Sequence, residues 1–560
     1  MQRYVTEEAS ASAGQVIDQV VETIILSPAS AAHGGELTLE LAPSLAAGVG
    51  DGLEQLSAHP YDGAEQSVGT FIAHAALIGA YRDTGISDPA LVRSFEQNLT
   101  HGLQRLYALQ QLDGGWAWWG NGTSQPYLTA YVVQGLLEAR RTGYDVDAAT
   151  LDRAVRYLEA TLAADGIAAT QAPLRIARGG SADARSYVLF VLAEAGRADR
   201  GRAVVLFNER NNLGIYGRAY LLMTLHTIGN EDQRVKTLIA ELMAAAHLTT
   251  AEAHWEEAQI DYWTMGSNLR STALALQALV RTDPANFLVP NAVRYLMNQR
   301  QIGWRNTHEK AIAILALAEY IRNSGDLSAG YRYRAVLGSQ LLADGAVNPD
   351  NLRTLVRHHV DLAQVGSGAL PLSIERTVGE SGRGRLYYSL RLRSFTPAAQ
   401  VGALDRGISI ARQYVAVDSA TLSPTGTLID TAEVGQIVQV RLTISSEAEL
   451  RFLTIDDPLP AGLEALDSSL RTSGAAGRNP QLESSDDPWP AWWYLDRSEV
   501  RDGRTALFAS YLPRGTYTFT YLARAAVPGS FQAAPSRAYQ TYAPEVFGRS
   551  AGAVFTILAP

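Results

Sequence analysis

The sequence has no cysteine among its 560 residues. This absence excludes disulfide bonds, thiolate metal sites and a cysteine nucleophile. No apolar run approaches the roughly 20 residues that a membrane-spanning helix needs. The 47 basic and 57 acidic residues form no dense basic cluster of the kind that binds nucleic acid, so we expect no nucleic-acid partner.

The N-terminal residues 1–8 lack the apolar segment of a secretory signal peptide. We therefore expect either a cytoplasmic protein or the C-terminal part of a longer chain. The composition is that of a globular protein, with 47% hydrophobic and 19% charged residues. The length is sufficient for roughly three or four domains.

A long central block, residues 46–327, has the pattern of buried helices. Six segments in it carry small and apolar residues on nearly every face, and a helix that is apolar all round is buried on all sides. More amphipathic segments, such as 152–162 and 291–299, alternate with them. This alternation predicts an inner and an outer ring of helices, an α/α toroid. The candidates for the inner ring are 70–77, 128–137, 186–192, 218–225, 271–279 and 310–317.

The regions on either side have the pattern of strands, with β-branched residues, apolar and polar alternation, and Gly or Pro turns. Residues 15–45, a set of about 30, are too few to bury a core alone. They must therefore pair with strands in 328–396. We predict a multidomain α and β fold, in which the α/α toroid is inserted in one β-sandwich and a second antiparallel β-sandwich follows at 405–560. Residues 1–14 are expected to form an N-terminal tail.

Residues 60–66, Pro-Tyr-Asp-Gly-Ala-Glu-Gln, resemble the Pro-Tyr-Gly-Cys-Gly-Glu-Gln thioester signature of the alpha-2-macroglobulin and complement family. In that signature a Cys thiol and the carboxamide of a Gln three residues later condense into an internal thioester. Tyr61, Glu65 and Gln66 match the pattern, but Gly63 stands at the position of the Cys. Glycine has no side chain, so no thioester ring can close. The motif points to this family and argues against its covalent chemistry.

The resemblance covers nearly the whole chain. It implies the C-terminal part of a bacterial alpha-2-macroglobulin, in which a thioester-type toroid is inserted in a CUB-type sandwich and a last macroglobulin-like (receptor-binding-type) domain follows. The further segments that carry the resemblance are 113–116, 126–131, 386–391, 456–462, 512–524 and 542–550.

This resemblance implies an endopeptidase inhibitor, a protease trap that acts through non-covalent protein contacts and is not an enzyme. Its expected partners are proteases or other proteins, and upstream macroglobulin-like domains that are absent from this chain. The resemblance places the protein outside the cell or in the bacterial cell envelope. We expect no cofactor.

Apart from the degenerate motif, the candidates for lining a ligand cleft are Asp113, Trp116, Trp118 and Trp119. The simpler interpretation is a turn Asp with aromatic side chains packed between helical hairpins. The segment 111–116 also shares its Gln, Gly and Trp spacing with 299–304, which indicates a repeated turn.

A polar and aromatic cluster precedes one inner helix, where His254 is followed by Glu256, Glu257 and Asp261. Only one histidine is local, and no second imidazole stands at the spacing of a metal ligand. We therefore expect no metal site.

The alternative function is that of an enzyme on the same toroid, of the terpene-cyclase or prenyltransferase type. The turn repeats of such enzymes also contain Gln…Gly-x-Trp patterns. Their chemistry needs an acidic Asp-rich motif or clustered Asp residues for magnesium, and the helical block has neither. An apolar tunnel through the toroid would favour this alternative.

Overall fold

The computed structural model describes most of the chain. The described residues are 4–16, 18–26, 34–45, 47–49, 64–84, 89–118, 122–168, 182–229, 233–249, 252–261, 264–303, 306–324, 330–348, 350–352, 354–362, 368–378, 384–418, 420–466, 481–484, 494–501 and 503–559.

Six helices contain the six predicted apolar segments and form a closed ring. Each contacts the next in the chain order of the ring, and the last contacts the first. The predicted inner ring is therefore confirmed. The inner helices are α1 (Ala64–Asp83), α3 (Pro126–Arg141), α5 (Ala182–Glu194), α7 (Ile215–Ile228), α9 (Asn268–Thr282) and α11 (Thr307–Ser324).

Five further described helices lie outside this ring. In α8 the buried residues are Val235, Leu238 and Leu242, which form the single apolar stripe of an amphipathic helix. In contrast, α7 buries residues on every face. This difference in apolar pattern decides which helix takes the inner position. The outer helices are α2 (Pro89–Leu109), α4 (Ala148–Ala168), α6 (Arg200–Asn208), α8 (Gln233–Ala244) and α10 (Leu288–Gly303).

The first turns of the inner helices meet at one end of the toroid. Thr307 at the start of α11 contacts Glu65 at the start of α1. Arg270 in the first turn of α9 contacts Tyr127 in the first turn of α3, and its guanidinium lies over the ring of Tyr216 in α7. Residues far apart in sequence are thus brought together at this end. In the described residues, no helix is both long and apolar enough to cross a membrane.

The first sandwich consists of two four-stranded sheets, with strand orders β1-β10-β3-β8 and β2-β9-β6-β7. Leu37, Leu39 and Leu41 on β3 all point into the core, as their alternation predicts. Strands from both sides of the toroid share each sheet, so the predicted split sandwich is confirmed. The strands are β1 (Tyr4–Val16), β2 (Gln19–Leu26), β3 (Gly35–Ala42), β6 (Tyr331–Leu337), β7 (Gln340–Val347), β8 (Val356–Asp361), β9 (Gly368–Val378) and β10 (Leu386–Pro397). A short hairpin inside the toroid supplies β4 (His247–Leu248) and β5 (Ala253–His254).

The N-terminal tail expected at 1–14 is wrong for residues 4–14, because β1 pairs with β10 from Tyr4 to Val16. This strand lies at the edge of its sheet and has one partner strand. Its sequence is rich in Ala, Ser, Glu and Gly and has no apolar alternation. β1 is held in the sheet by backbone hydrogen bonds to β10, and such bonds do not require alternating apolar side chains.

The C-terminal sandwich follows from residue 404. Its larger sheets have the orders β11-β24-β23-β16-β20-β19 and β13-β12-β15-β21-β17, and β14-β25-β22 forms a smaller sheet. A core of alternating residues such as Val438, Val440, Leu442 and Ile444 lies between the sheets. The strands are β11 (Leu404–Arg406), β12 (Ser409–Val417), β13 (Pro424–Leu428), β14 (Thr431–Glu433), β15 (Ile437–Ser446), β16 (Leu450–Pro458), β17 (Leu463–Ala465), β18 (Gln481–Ser484), β19 (Arg497–Arg501), β20 (Arg504–Leu512), β21 (Gly515–Ala525), β22 (Gly529–Ala533), β23 (Arg537–Gln540), β24 (Ala543–Arg549) and β25 (Ala553–Leu558).

Candidate functional site

The degenerate motif ends in the first turn of α1. Tyr61 and Gly63 lie outside the described residues, whereas Glu65 and Gln66 lie inside the helix. Gln66 is half-buried. Glu65 is only 1% exposed and lies at the end of the toroid where the inner helices begin.

Two hydroxyl groups hold the Glu65 carboxyl. Thr307 Oγ1, at the start of α11, lies 2.7 Å from Oε1 and 2.8 Å from Oε2. Tyr542 Oη, from the C-terminal sandwich, donates a hydrogen bond of 3.1 Å to Oε2. The carboxyl therefore connects two helices of the toroid with the sandwich that follows it.

The described side chains that act on Glu65 are uncharged hydroxyl groups. Burial raises the pKa of Glu65 to about 7, and the hydrogen bonds from Thr307 and Tyr542 offset this rise only in part. Burial also raises the pKa values of Tyr131 and Tyr542 well above that of a free tyrosine. It lowers the pKa of His308 well below that of a free histidine, so the imidazole is neutral. Among the described side chains, no cation forms an ion pair with Glu65.

Three aromatic rings cover the site. Trp118 of the toroid lies 4.7 Å from Phe452 and 6.0 Å from Tyr542 between ring centroids, and Phe452 lies 4.9 Å from Tyr542. We call these three residues the aromatic contact. Phe452 and Tyr542 belong to the C-terminal sandwich but pack into the hydrophobic core of the toroid. Rings in such pairs add about 0.5–1.5 kcal/mol beyond their buried area.

Phe452 reaches the toroid from a strained backbone. Its φ is 50°, in the left-handed region that residues other than glycine rarely adopt. The β16–β20 pairing keeps one register from Arg451 opposite Tyr511 to Leu453 opposite Ala509, and Phe452 between them is not among the paired residues. A residue with a positive φ departs from the extended backbone, so its side chain leaves the strand alternation. In Phe452 this conformation turns the ring towards Trp118.

A second polar row crosses the same end of the toroid. Arg270 is completely buried, and its Nη1 donates to Tyr127 Oη over 3.1 Å. Tyr127 Oη lies 3.4 Å from His308 Nε2. The rings of Tyr127 and Tyr187 are 5.0 Å apart, and those of Tyr187 and Tyr220 are 4.4 Å apart. These side chains fill the middle of the inner ring at this level.

The three described candidates for a ligand cleft, Asp113, Trp116 and Trp118, lie in different surroundings. Asp113 is an exposed turn residue, whose Oδ1 accepts hydrogen bonds from the Gly115 amide at 3.0 Å and from Ser124 Oγ at 2.7 Å. Trp116 is fully buried and Trp118 belongs to the aromatic contact. Trp119 lies outside the described residues. The positions of Asp113 and Trp116 agree with the simpler interpretation, a turn Asp followed by an aromatic side chain packed between helices.

Trp255 is a structural counterpart of Trp116. Trp116 donates through its backbone amide to Thr129 Oγ1 at 3.0 Å and through Nε1 to the Leu106 carbonyl at 2.8 Å. Trp255 makes the same two bonds, to Thr272 Oγ1 at 3.0 Å and to the Leu242 carbonyl at 2.7 Å. Each indole thus ties an outer helix to the next inner helix. The sequence repeat missed Trp255 because the β4–β5 hairpin replaces the glycine turn, and Trp304 lies outside the described residues.

The cluster around His254 has a structural role in the described residues. His254 stacks between His247 and Tyr295, at ring distances of 5.2 Å and 4.8 Å. Glu257 accepts the backbone amides of Ile215 and Tyr216 at 2.9 Å and 3.0 Å, and so caps α7. Within the described part of the chain, no group of three or more His, Cys, Asp or Glu residues could hold a metal ion.

Thr307, Phe452 and Tyr542 are the site residues that the sequence analysis did not identify. Tyr542 begins one of the segments that carry the family resemblance, but the neighbouring sequence does not indicate that it contacts Glu65. Its contact with Glu65 joins residues 477 positions apart. No helical or strand periodicity extends over such a distance.

The chain matches two family models. Residues 39–320, about half of the chain, match the A-macroglobulin TED domain, and residues 407–545 match the bacterial alpha-2-macroglobulin MG10 domain. The first model coincides with the toroid, and the second lies within the C-terminal sandwich.

Similar whole proteins are much longer. An alpha-2-macroglobulin homolog of Nostoc sp. is 27% identical over 472 residues, which are 80% of this chain and 23% of that relative. The chain thus spans about a quarter of that relative's length.

Two solved structures share the fold. Salmonella alpha-2-macroglobulin reacted with methylamine has a TM-score of 0.70 at 21% identity, over 100% of this chain and 34% of its own. Native Escherichia coli alpha-2-macroglobulin from domain MG7 to the C-terminus has a TM-score of 0.68 at 20% identity, over 98% of this chain and 82% of its own. Together with the family models and the arrangement of the toroid between two sandwiches, these matches lead to one conclusion: the chain belongs to the alpha-2-macroglobulin family and corresponds to the C-terminal part of its bacterial members.

Proposed function

We propose that this chain is the C-terminal part of an alpha-2-macroglobulin-like endopeptidase inhibitor that works without a thioester. In this proposal, the chain contributes to a protease trap through non-covalent contacts, and it is not an enzyme. The upstream macroglobulin-like domains and the trapped protease are its partners. The family resemblance also favours a place outside the cell or in the bacterial envelope.

One observation carries the non-covalent mode. The chain has no cysteine at position 63 or elsewhere, so Gln66 keeps an ordinary amide. An amide is a poor acyl donor, because its leaving group is an amine and not a thiolate. The adjacent Glu65 is instead engaged by Tyr542 of the C-terminal sandwich. The same end of the toroid therefore supports contact between domains in place of covalent capture.

The filled centre of the toroid favours this proposal over the cyclase or prenyltransferase alternative. Tyr127, Tyr187, Tyr220 and Arg270 occupy the space between the inner helices at the level of their first two turns. An isoprenoid substrate would need an open apolar cavity there. Failure of an isoprenoid diphosphate to protect the chain against thermal unfolding would agree with this choice.

Methylamine tests the covalent chemistry directly. We expect no mass increase when this chain is incubated with methylamine, as measured by intact mass spectrometry. The Salmonella protein, whose structure was solved after reaction with methylamine, serves as the positive control. A gain of the methylamine adduct by the wild-type chain would contradict the proposal.

A test of protease trapping needs the longer protein of which this chain is proposed to be a part. A trap that encloses a protease should protect a large protein substrate while leaving a small chromogenic peptide accessible. We expect this protection without a protease complex that survives SDS. An SDS-stable complex would overturn the non-covalent mode, and equal cleavage of both substrates would overturn the trap itself.

A further inference from the structure

The contact between the toroid and the C-terminal sandwich buries one carboxyl without a counter-charge. Glu65 faces Thr307 from α11, Tyr131 from α3 and Tyr542 from the turn between β23 and β24. Within the described residues, these neighbours offer hydroxyl groups and no cation. Undocking of the sandwich would remove Tyr542 and return water to the carboxyl.

Within the part of the chain that the structure describes, four other titratable groups lie near Glu65 and stay neutral around pH 7. On α1 itself, burial lowers the pKa of His74 to about 4. His308 on α11 is held neutral by burial, and its ring packs against Tyr131 at 4.6 Å. Tyr131 and Tyr542 have pKa values raised well above the usual value by burial. Glu65 is therefore the group in this cluster whose charge can change between pH 5 and pH 8.

A protonated Glu65 also has an acceptor nearby. Tyr131 Oη is buried and has no hydrogen-bond partner among the described residues. A Cβ built on Gly69 would lie 3.4 Å from Tyr131 Oη and 3.6 Å from Glu65 Oε1, so both atoms border the same small space. The arrangement accommodates the acid form more readily than the carboxylate, because burying an uncompensated charge is costly.

We propose that docking of the C-terminal sandwich on the toroid takes up a proton at Glu65, so that the contact between these domains tightens in acid and loosens as the pH rises. This inference rests on the geometry of the contact and does not depend on whether a protease is trapped.

The direction follows from linkage. In the docked state the pKa of Glu65 is about 7, against a reference value of 4.5 for a free glutamate. The stabilisation of the docked state by protonation of Glu65 is complete below pH 4.5. It declines between pH 4.5 and 7 and is lost above pH 7. A full return of the pKa to the reference value on undocking would change the docking equilibrium by roughly two orders of magnitude.

The absence of cysteine makes the test direct, since two dyes can be attached without removing a native thiol. Leu112 on a toroid turn and Val527 on the C-terminal sandwich are exposed by 107% and 51%. The double variant Leu112→Cys, Val527→Cys reports the separation of the two domains by energy transfer. Urea titrations at pH 5 and pH 8 then give the midpoint at which the domains separate.

We expect the midpoint of the labelled protein to be lower at pH 8 than at pH 5. Addition of Glu65→Gln removes the titrating group while keeping its shape, so the midpoint should become nearly independent of pH. Asp183→Asn is the matched control, because burial raises the pKa of Asp183 to about 6 and this residue lies on α5, bonded to the Gly214 amide. This control should keep the pH dependence of the parent.

The same shift in the parent and in Glu65→Gln would overturn the proposal, as would a parent midpoint that does not change with pH. Circular dichroism shows whether Glu65→Gln folds. If it does not, Glu65→Met provides a second side chain that does not titrate, with the same expected result and the same contradicting outcome.

Discussion

Tyr542 Oη donates a hydrogen bond of 3.1 Å to Glu65 Oε2, so the last domain of the chain closes over the first turn of helix α1. In a thioester-bearing relative, the residue after this Glu would carry the acyl group. In the present chain, which has no cysteine, this position is occupied by a contact between two domains. The contact should therefore have measurable energetic consequences of its own.

The hydroxyl of Tyr542 should stabilise the folded chain. Tyr542→Phe leaves one oxygen of a buried carboxyl with fewer partners, which costs about 1–3 kcal/mol. Urea unfolding should show this loss at pH 8, where Glu65 is mostly ionised and needs its donors. Tyr511→Phe is the control, because the exposed bond of Tyr511 to Glu449 should contribute less than about 0.5 kcal/mol. Equal losses in the two variants would contradict this assignment.

At most strand positions an Ala variant is more stable than a Gly variant. The left-handed backbone of Phe452 should reverse this order of stability. Phe452→Ala removes a buried ring from the aromatic contact and should cost about 3–5 kcal/mol. Phe452→Gly loses the same ring but releases the left-handed strain at φ 50°, so we expect it to be about 1 kcal/mol more stable than the Ala variant.

Phe508 on the neighbouring strand β20 provides the matched control. It is 5% exposed and lies in regular pairing opposite Thr454. There Gly should be less stable than Ala by about 0.5–1 kcal/mol, because glycine loses more backbone freedom in a strand. Chemical denaturation of the four variants checks the reversal. The same order at both positions would show that Phe452 is not strained.

Asp457 should be essential to the C-terminal sandwich. It pairs with the buried Arg412 at 2.8 Å and accepts from Tyr521 at 2.6 Å and Ser536 at 2.7 Å. Asp457→Ala would leave the Arg412 charge buried and uncompensated, at a cost of about 3–5 kcal/mol.

The adjacent Asp456 is the control for Asp457. It lies 3.6 Å from Arg504 in a partly exposed pair, so Asp456→Ala should cost less than about 1 kcal/mol. Thermal and urea unfolding of the two variants give the comparison. A loss of similar size at both positions would show that the buried pair has no special importance.

Removal of residues 1–45 should destroy the first sandwich. This truncation deletes β3 from between β10 and β8, together with β1 and β2. Leu37, Leu39 and Leu41 alone bury side chains worth about 1.5–3 kcal/mol each, a large part of a typical domain stability of about 5–15 kcal/mol. We expect loss of the β part of the thermal transition by circular dichroism, whereas removal of residues 1–3 should leave it intact. Identical melting of both truncations would contradict the split sandwich.

The local pattern of the sequence was sufficient for the larger elements. All-round apolarity placed six helices in the inner ring, because a helix without a polar face must be buried on every side. The alternation at 37–41 likewise identified a strand with one buried face. The edge strand β1 escaped this method, because backbone hydrogen bonds to a single neighbour require no apolar pattern.

The sequence by itself determined that the chain has no cysteine, the residue from which the family's thioester is made. It also determined the order of toroid and sandwiches, since the periods of helices and strands are local properties of the chain. Only the tertiary structure decided that Glu65 is buried, that Thr307 and Tyr542 bind it, and that Phe452 turns out of its strand to meet Trp118. These contacts depend on how separate domains pack, and packing is governed by shape and desolvation between residues that the sequence pattern does not relate.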